Sequence, residues 1–228
     1  MIIRSRITRH FLHERPRVFV GIDAPDFNFA LEAKLKQAGI PTVHFVSPSI
    51  WAWRPERIDT IREAVSHMLV VFPFEEAIYR DAGIPVTYVG HPLADVIPPE
   101  PDTAAARAAL KLADGPVFAL LPGSRLSEVK RHARLMLDAA RLIARRHPDA
   151  QFVLPAASEA AAARVAHART GFDLNLSVLA GQSHTALAAC DVALVASGTA
   201  TLETALFKKP MVITYRVPAL TAYLMRKK

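Results

Sequence analysis

Apolar positions along the chain follow two rhythms that alternate from one end to the other. Short apolar runs of strand length occupy residues 17–22, 41–46, 67–72, 86–89, 117–121, 151–154, 174–179, 192–195 and 211–214. Between most of them, apolar residues return every three or four positions, the spacing of a helix with one buried face. Such stretches cover residues 29–38, 54–65, 74–82, 103–112, 126–147, 156–169, 183–189 and 199–207, and Gly39 and Gly83 close two of them. Ile3, Ile7, Phe11 and Leu12 recur at the same spacing among arginines and histidines, which predicts a surface helix leading into a short buried strand at 17–22. Strands alternating with helices predict an α/β fold built from parallel sheets with helices on both faces, arranged as two Rossmann-like doubly wound halves.

The proline-rich stretch His91-Pro-Leu-Ala-Asp-Val-Ile-Pro-Pro-Glu-Pro-Asp102 falls between two alternating blocks, where a linker belongs. A boundary near Val96 divides the chain into an N-terminal domain, 1–95, and a second domain, 96–228. The first half starts on a helix with no opening strand. The chain ends on residues 215–228, an apolar and basic segment expected to be helical, whereas doubly wound two-domain chains usually return to their first domain. Both domains are therefore expected to be incomplete.

Composition narrows the partners. With 228 residues and 51% hydrophobic content the chain can build one large core or two smaller ones, and a disordered protein is excluded. The single cysteine, Cys190, can form no internal disulfide and belongs to no cysteine cluster, in keeping with the cytoplasm. A net charge of +7 points to an anionic partner. Zinc-finger spacing, RNA-binding aromatics and a recognition-helix pattern are all missing, so nucleic acid is not expected. No apolar run reaches the roughly 18 residues of a membrane span. Arg131, His132, Arg134, Arg141, Arg145, Arg146 and His147 load one helix with positive charge on a face expected to be solvated, and an acidic membrane surface fits them better than nucleic acid.

Ligands of parallel α/β sheets bind outside the carboxyl ends of the strands, and turns with suitable chemistry stand at that edge. Pro122-Gly123-Ser124-Arg125 follows an apolar strand and opens a helix; its glycine permits close backbone approach and Arg125 sits beside unpaired helix N–H groups, so a phosphate is the natural guest. Ser197, Gly198 and Thr199 can offer N–H groups and hydroxyls to a phosphate, with Glu203 one turn on and able to accept from a ribose. Alternatively Glu203 completes a capping box to Thr199 or Ala200. Asp23 stands at a strand end as a general base or as an Asx-type cap before Pro25, and Asp26 is placed as the N-cap of a helix starting at Phe27. Trp51 and Trp53 can stack on a sugar, meet an acyl chain or close the domain core. His91, after Gly90, can contact a phosphate or make a structural hydrogen bond at the hinge. There is no paired-acid metal motif.

Val20-Gly-Ile-Asp-Ala-Pro-Asp-Phe-Asn28, Val46-Ser-Pro-Ser-Ile-Trp-Ala-Trp53, Val89-Gly-His-Pro92, Leu120-Leu-Pro-Gly-Ser-Arg125 with Glu128-Val129, and Ala196-Ser-Gly-Thr-Ala-Thr-Leu-Glu203 together resemble the lipid-A-disaccharide synthases, in the same order over nearly the whole chain. The resemblance implies a GT-B fold, two Rossmann-like domains facing a cleft, in an enzyme that moves 2,3-diacylglucosamine from UDP to the 6-hydroxyl of 2,3-diacylglucosamine 1-phosphate (lipid X) with inversion. It implies that Asp23 is the base, that Arg125 offsets charge on departing UDP, and that no metal or cofactor is needed, the UDP-sugar being a substrate. Gly123, Ser124, Ser197, Gly198 and Thr199 would serve the nucleotide phosphates, Glu203 the ribose, and Asp26, Trp51, Trp53 and His91 the acceptor side. UDP-2,3-diacylglucosamine, lipid X and an anionic membrane surface are the implied partners, at the inner face of the inner membrane. A homodimer is admitted for a full-length chain. The family's opening strand with its Gly-Glu-Thr-Ser-Gly-Asp turn, and its continuation past Lys228, have no counterpart here. Two other readings remain: an enzyme like the UDP-N-acetylglucosamine 2-epimerases, which share the Ser-Gly/Glu turn but not Ile-Asp-Ala-Pro-Asp-Phe, and a non-catalytic fragment that binds UDP or membrane.

Overall fold

The computed structural model describes residues 2–217. Two compact units divide the chain, Met1–Ala94 and Asp95–Lys228. In the first, α1 (Ile2–Glu14) precedes β1 (Phe19–Ile22), α2 (Pro25–Gln37), β2 (Thr42–Phe45), α3 (Arg57–Ala64), β3 (His67–Val70), α4 (Glu75–Asp81) and β4 (Val86–Tyr88). All four strands are parallel and lie in chain order, β1-β2-β3-β4. Right-handed crossovers that step in one direction across a sheet leave their helices on one face. Burial alternates accordingly: Gly21, Thr42, His44, Met68 and Val70 are buried, while Val20 and Ile22 of β1 are exposed. The expected buried strand at 17–22 is thus a half-buried one.

The core of this unit joins Phe29 of α2, Ile61 of α3, Met68 and Val70 of β3 and Tyr79 of α4. Of the four apolar positions of α1, Ile7 and Phe11 pack on Leu31, Leu35 and Ile40, whereas Ile3 and Leu12 are exposed. Gly21 is required by packing, because a Cβ there would lie 1.9 Å from Glu32 Oε1, which meets His44 Nδ1 at 2.8 Å inside the core.

The short helix α5 (Leu93–Val96) covers the division in the proline-rich stretch. Beyond it come α6 (Thr103–Ala109), β5 (Val117–Leu121), α7 (Leu126–Arg146), β6 (Gln151–Ala156), α8 (Glu159–Arg169), β7 (Leu176–Ala180), α9 (Ser183–Ala189), β8 (Val192–Ala196), α10 (Thr199–Leu206) and β9 (Met211–Thr214). The parallel order is β7-β6-β5-β8-β9. Strand order reverses at β5, so right-handed connections put helices on both faces, and β5 is buried almost throughout.

Side-chain caps start two helices of this unit: Asp102 Oδ1 accepts from the Ala105 N–H at 2.8 Å, and Ser158 Oγ from the Ala161 N–H at 3.2 Å. The buried stripe of α7, Val129, Ala133, Met136, Leu137 and Ala140, is the helical face that the apolar spacing predicts. It also contains His132, which is fully buried, so the expectation that this histidine belongs to a solvated basic face is corrected. Position 132 is one residue from Ala133 on the same arc, and burial follows the arc rather than residue type. Arg134 and Arg141 lie over the Phe172 ring at 4.4 and 5.4 Å and both pair with Asp138, so part of the helix charge is met locally.

Cys190 is buried at the end of α9, its thiol donating to the Leu187 carbonyl at 3.4 Å, and burial pushes its pKa up to about 11. A thiol reagent at neutral pH is expected to leave the folded chain unmodified and to label it once denaturant exposes Cys190, as mass spectrometry would read. Residues 215–217 leave β9 as irregular backbone; the rest of the segment expected to be helical, 218–228, lies outside the described residues. Among the described residues no helix is long and apolar enough to cross a membrane, and no group of three or more His, Cys, Asp or Glu could hold a metal ion.

Candidate nucleotide site and the strand-end turns

Adjacent strands β5 and β8 run parallel, with Leu121 opposite Val195, and the strand order reverses between the connections that leave them. Their carboxyl ends form the crevice where α/β sheets bind ligands. A cavity of about 310 Å³ opens there, lined by Gly123, Ser124, Arg125 and Glu128 from one turn and by Ser197, Gly198, Thr199, Ala200 and Glu203 from the other. Two turns some seventy residues apart in sequence thereby share one cavity.

The β5 turn needs its glycine for two reasons. Gly123 has φ +108, and a Cβ on it would fall 2.5 Å from Glu128 Oε2 and 2.6 Å from Glu128 Cβ. Glu128 folds back over the start of α7, where Oε2 accepts the Arg125 N–H at 3.1 Å and Oε1 meets the Arg125 guanidinium at 3.2 Å. The Arg125 side chain is 80% exposed and that of Glu128 only 15%, so a half-buried carboxylate tethers a guanidinium at the mouth. The sequence reading gives Glu128 no site role, although the third helical position is where a carboxylate returns to the cap N–H.

The β8 turn differs in detail from expectation. The Ser197 N–H donates to Thr214 O at 2.9 Å, extending the β8–β9 ladder by one residue, so Ser197 has its hydroxyl and not its N–H for a ligand. Thr199 and Ala200 lie in the first turn of α10, where N–H groups have no earlier carbonyl to bond. Gly198 is extended, with only Ala196 O, at 4.0 Å, near the position of a Cβ. Neither backbone conformation nor crowding requires glycine there; the space above it belongs to the cavity. The capping-box alternative for Glu203 is not realised: the Thr201 hydroxyl donates to the carbonyl of the cap residue Gly198 at 2.6 Å, while Glu203 Oε2 faces His184 Nε2 at 3.4 Å. His184, at the start of α9, gave no signal in the sequence beyond being a histidine near a glycine.

These two glycines make a paired prediction. Gly123→Ala is expected to lower unfolding free energy by about 1–3 kcal/mol from the positive φ alone, with the Glu128 clash added. Gly198→Ala is expected to stay within about 0.5 kcal/mol of the natural chain and to weaken nucleotide binding. Urea unfolding and calorimetry of both variants separate the two effects.

In the first unit, Asp23 (φ 49) and Ala24 (φ 44) are consecutive left-handed residues at the end of β1, and Val46 (φ 75) takes the same region at the end of β2. Each such non-glycine residue costs on the order of 1–3 kcal/mol and persists only where its surroundings hold it. Here Asn28 Nδ2 donates to Asp23 O at 2.7 Å and Ile22 O at 3.3 Å, and the Asp23 N–H donates to Phe45 O at 2.9 Å. The N-cap of α2 is Ala24 with no side-chain bond, so Asp23 is not the cap its alternative reading makes it. Asp26 is not the N-cap either: the helix starts at Pro25, Asp26 lies inside its first turn, and its carboxylate pairs with Arg57 at 2.5 Å. Pro25 supplies a helical φ that starts the helix two residues before the Phe27 start expected with Asp26 as cap.

The loop after β2 is anchored by Ile50, which is buried, while Trp51 and Trp53 are 51% and 65% exposed. The aromatic that closes the core here is therefore neither tryptophan. Trp51 meets Phe74 edge-on at 5.3 Å, and the Arg54 guanidinium lies 4.5 Å over Trp53. Beneath the loop, Ser47 Oγ bonds the Tyr79 hydroxyl at 2.6 Å and buried Glu75 accepts the Phe72 N–H at 3.0 Å. Burial raises the Glu75 pKa above the usual carboxylate value and lifts Tyr79 to about 12. His91 Nδ1 accepts the Leu93 N–H at 3.1 Å, which is the structural bond of its two readings.

With this geometry in hand, comparison with known proteins is specific. The sequence profile of the lipid-A-disaccharide synthetase family matches residues 1–227. The chain is 79% identical over 226 residues to the lipid-A-disaccharide synthase of Thiobacillus denitrificans, covering 99% of this chain and 61% of that protein. It is 57% identical over 229 residues to that of Albidiferax ferrireducens, covering 99% and 59%. The chain thus spans about 60% of the length of these curated relatives. Among solved structures it resembles the UDP-GlcNAc 2-epimerase of Neisseria meningitidis bound to UDP-GlcNAc (TM-score 0.64, 13% identity, 98% of this chain and 66% of that one). It also resembles Anabaena HepE in complex with UDP and glucose (TM-score 0.52, 16% identity, 92% and 61%). At such identities these two likenesses are of fold, and the fold is GT-B.

Proposed function

Because the chain belongs to the lipid-A-disaccharide synthase family, we propose that the cavity at the ends of β5 and β8 holds the diphosphate of a UDP-sugar and that the chain carries machinery for joining two acylated glucosamines. The donor is UDP-2,3-diacylglucosamine, the acceptor is lipid X, and the products are the lipid A disaccharide 1-phosphate and UDP. One observation carries this reading most directly: Arg125 and the first turn of α10 border a single cavity at the point where strand order reverses.

In the transfer, the acceptor O6 attacks the anomeric carbon of the donor, forming the new glycosidic bond as the bond to the diphosphate oxygen breaks with its electron pair. Configuration inverts. Asp23 accepts the O6 proton, and its exposed carboxylate, with no side-chain partner among the described residues, is available to do so. Negative charge growing on UDP is met by the Arg125 guanidinium, the Thr199 and Ala200 N–H groups and the Ser197 and Ser124 hydroxyls. Glu203 accepts from the ribose hydroxyls while His184 faces one of its oxygens. Trp51, Trp53 and His91 serve the acceptor side in this reading, with the exposed tryptophans offering apolar faces to an acylated sugar.

Both substrates of the proposed transfer are acylated, so in this reading the chain works at a membrane surface, at the inner face of the inner membrane. The helix α1 supports a membrane contact in this reading, since exposed Ile2 and Ile3 stand beside Arg4, Arg6 and Arg9.

Calorimetry with UDP tests the donor site, and transfer of label from UDP-2,3-diacylglucosamine to lipid X tests the reaction, with the Thiobacillus denitrificans relative run in parallel. Binding with disaccharide formation is expected. No UDP binding by a folded chain sinks the donor reading; UDP binding without product from a chain whose relative is active leaves a binding fragment; UDP-N-acetylmannosamine formed from UDP-N-acetylglucosamine replaces transfer with epimerisation.

A further inference from the structure

The basic helix α7 contributes one residue that its charge does not explain. His132 is fully buried, and both ring nitrogens are engaged by backbone: Nδ1 lies 3.1 Å from Pro122 O and Nε2 lies 3.0 Å from the Arg216 N–H. A backbone N–H can only donate, so Nε2 must present its lone pair. A carbonyl can only accept, so Nδ1 must carry the proton. The two partners therefore select a neutral imidazole in one tautomer. The Tyr215 ring packs 5.3 Å from the imidazole at 45°.

What these partners belong to is the informative part. Pro122 immediately precedes Gly123, Ser124 and Arg125, the β5 side of the cavity. Arg216 lies two residues past Thr214, whose carbonyl accepts the Ser197 N–H at 2.9 Å and so supports the β8 side. One side chain thus closes a path of hydrogen bonds from Ser197 through the chain leaving β9 to the Arg125 turn. From this geometry we infer that His132 is a positioning residue for the donor cavity, holding its two turns in register so that Arg125 and the start of α10 address the same diphosphate. The inference rests on the reading of the cavity as the diphosphate site. An apolar side chain of similar size would fill the same space beside Val129 and Met136 but would leave Pro122 O and the Arg216 N–H without a partner.

The bridge can be cut one bond at a time. In His132→Asn the amide stands near the Nδ1 position and can still donate to Pro122 O; in His132→Gln it reaches the Nε2 position and can still accept from Arg216; His132→Phe keeps the volume and neither bond. UDP affinity is measured for each by calorimetry at a temperature where unfolding curves show every variant folded. Either half-bridge alone leaves the two turns unlinked, so Asn and Gln are both expected to weaken UDP binding, about ten- to a hundredfold. His132→Phe is expected to fall at least as far. Unchanged affinity in a folded Phe variant, or in both amide variants, overturns the inference, because a residue that only fills the core would affect stability and spare affinity.

Ring-nitrogen NMR of the natural chain supplies a readout that needs no variant to fold. A protonated Nδ1 and a bare Nε2 at His132, with both signals shifting when UDP is added, is the expected spectrum; the opposite tautomer, or no shift while UDP binds, overturns the clamp. If the natural chain binds no UDP, the donor reading fails by itself, and the tautomer then decides whether the bridge exists.

Discussion

Asp23→Asn is expected to lower the rate of disaccharide formation about 10²- to 10⁴-fold and to leave UDP affinity unchanged. The substitution is isosteric, and asparagine tolerates the left-handed backbone at φ 49 at least as well as aspartate does, so the strained turn survives. The bonds that hold the turn, from Asn28 to Ile22 O and Asp23 O and from the Asp23 N–H to Phe45 O, use backbone atoms of residue 23 and remain. What disappears, in the proposed transfer, is the carboxylate that would take the proton from the acceptor hydroxyl. Alanine is a poorer probe, because it adds a conformational cost at a positive φ to the loss of charge. Steady-state assays with both substrates varied check the prediction, and an unchanged kcat would remove Asp23 from the chemistry.

Arg125→Ala is expected to lower kcat about 10²- to 10³-fold, the usual effect of removing a donor that stabilises developing negative charge, and to weaken UDP binding as well. The second effect has a source visible in the structure. Glu128 lies within the cavity lining, and its carboxylate is offset by the guanidinium 3.2 Å away. Without Arg125 an uncompensated carboxylate would face the proposed diphosphate. Adding Glu128→Gln to Arg125→Ala should therefore recover part of the lost UDP affinity, since glutamine keeps an acceptor for the N–H of residue 125 and removes the charge. In the natural background Glu128→Gln has the smaller effect. A double-mutant cycle on UDP affinity measures the coupling, and additive losses would show that Glu128 does not act through Arg125.

Much of the architecture is legible in the residue order. The alternation of apolar runs with helical spacing specifies a parallel α/β chain because strands and crossover helices have different periods, and each run here is long enough to show its own. Ser183–Ala189 as a helix and Val117–Leu121 and Met211–Thr214 as strands follow directly from it. Strand ends are legible for the same reason: a turn between an apolar run and a helix must stand at the carboxyl edge, which is how Asp23, Arg125 and Ser197 become candidates before any contact is known.

Periodicity does not report strand order, and strand order decided the rest. Because the first sheet runs β1-β2-β3-β4 and the second β7-β6-β5-β8-β9, β1 has an exposed face while β5 is enclosed. Only the second order sets the Arg125 and Ser197 turns side by side. Hydrogen-bond assignments among nearby groups were also a tertiary matter. Ser197 has an N–H that any phosphate site could use until Thr214 takes it, Glu203 suits a capping box until His184 stands opposite, and Asp26 suits a cap until Pro25 starts the helix early.

His132 is the clearest division between the two. Its place on the buried arc of α7 is implied by the sequence, one position before Ala133, yet arginines around it in the chain suggest a solvated charge. What makes it a neutral buried bridge is the approach of Pro122 and Arg216, residues 10 and 84 positions away. Sequence determined the elements, their order and the chemistry at their ends; the packing of distant backbone groups around a few side chains decided which of those groups remain free for a ligand, because a hydrogen-bonding group's partner is set by distance in space and not along the chain.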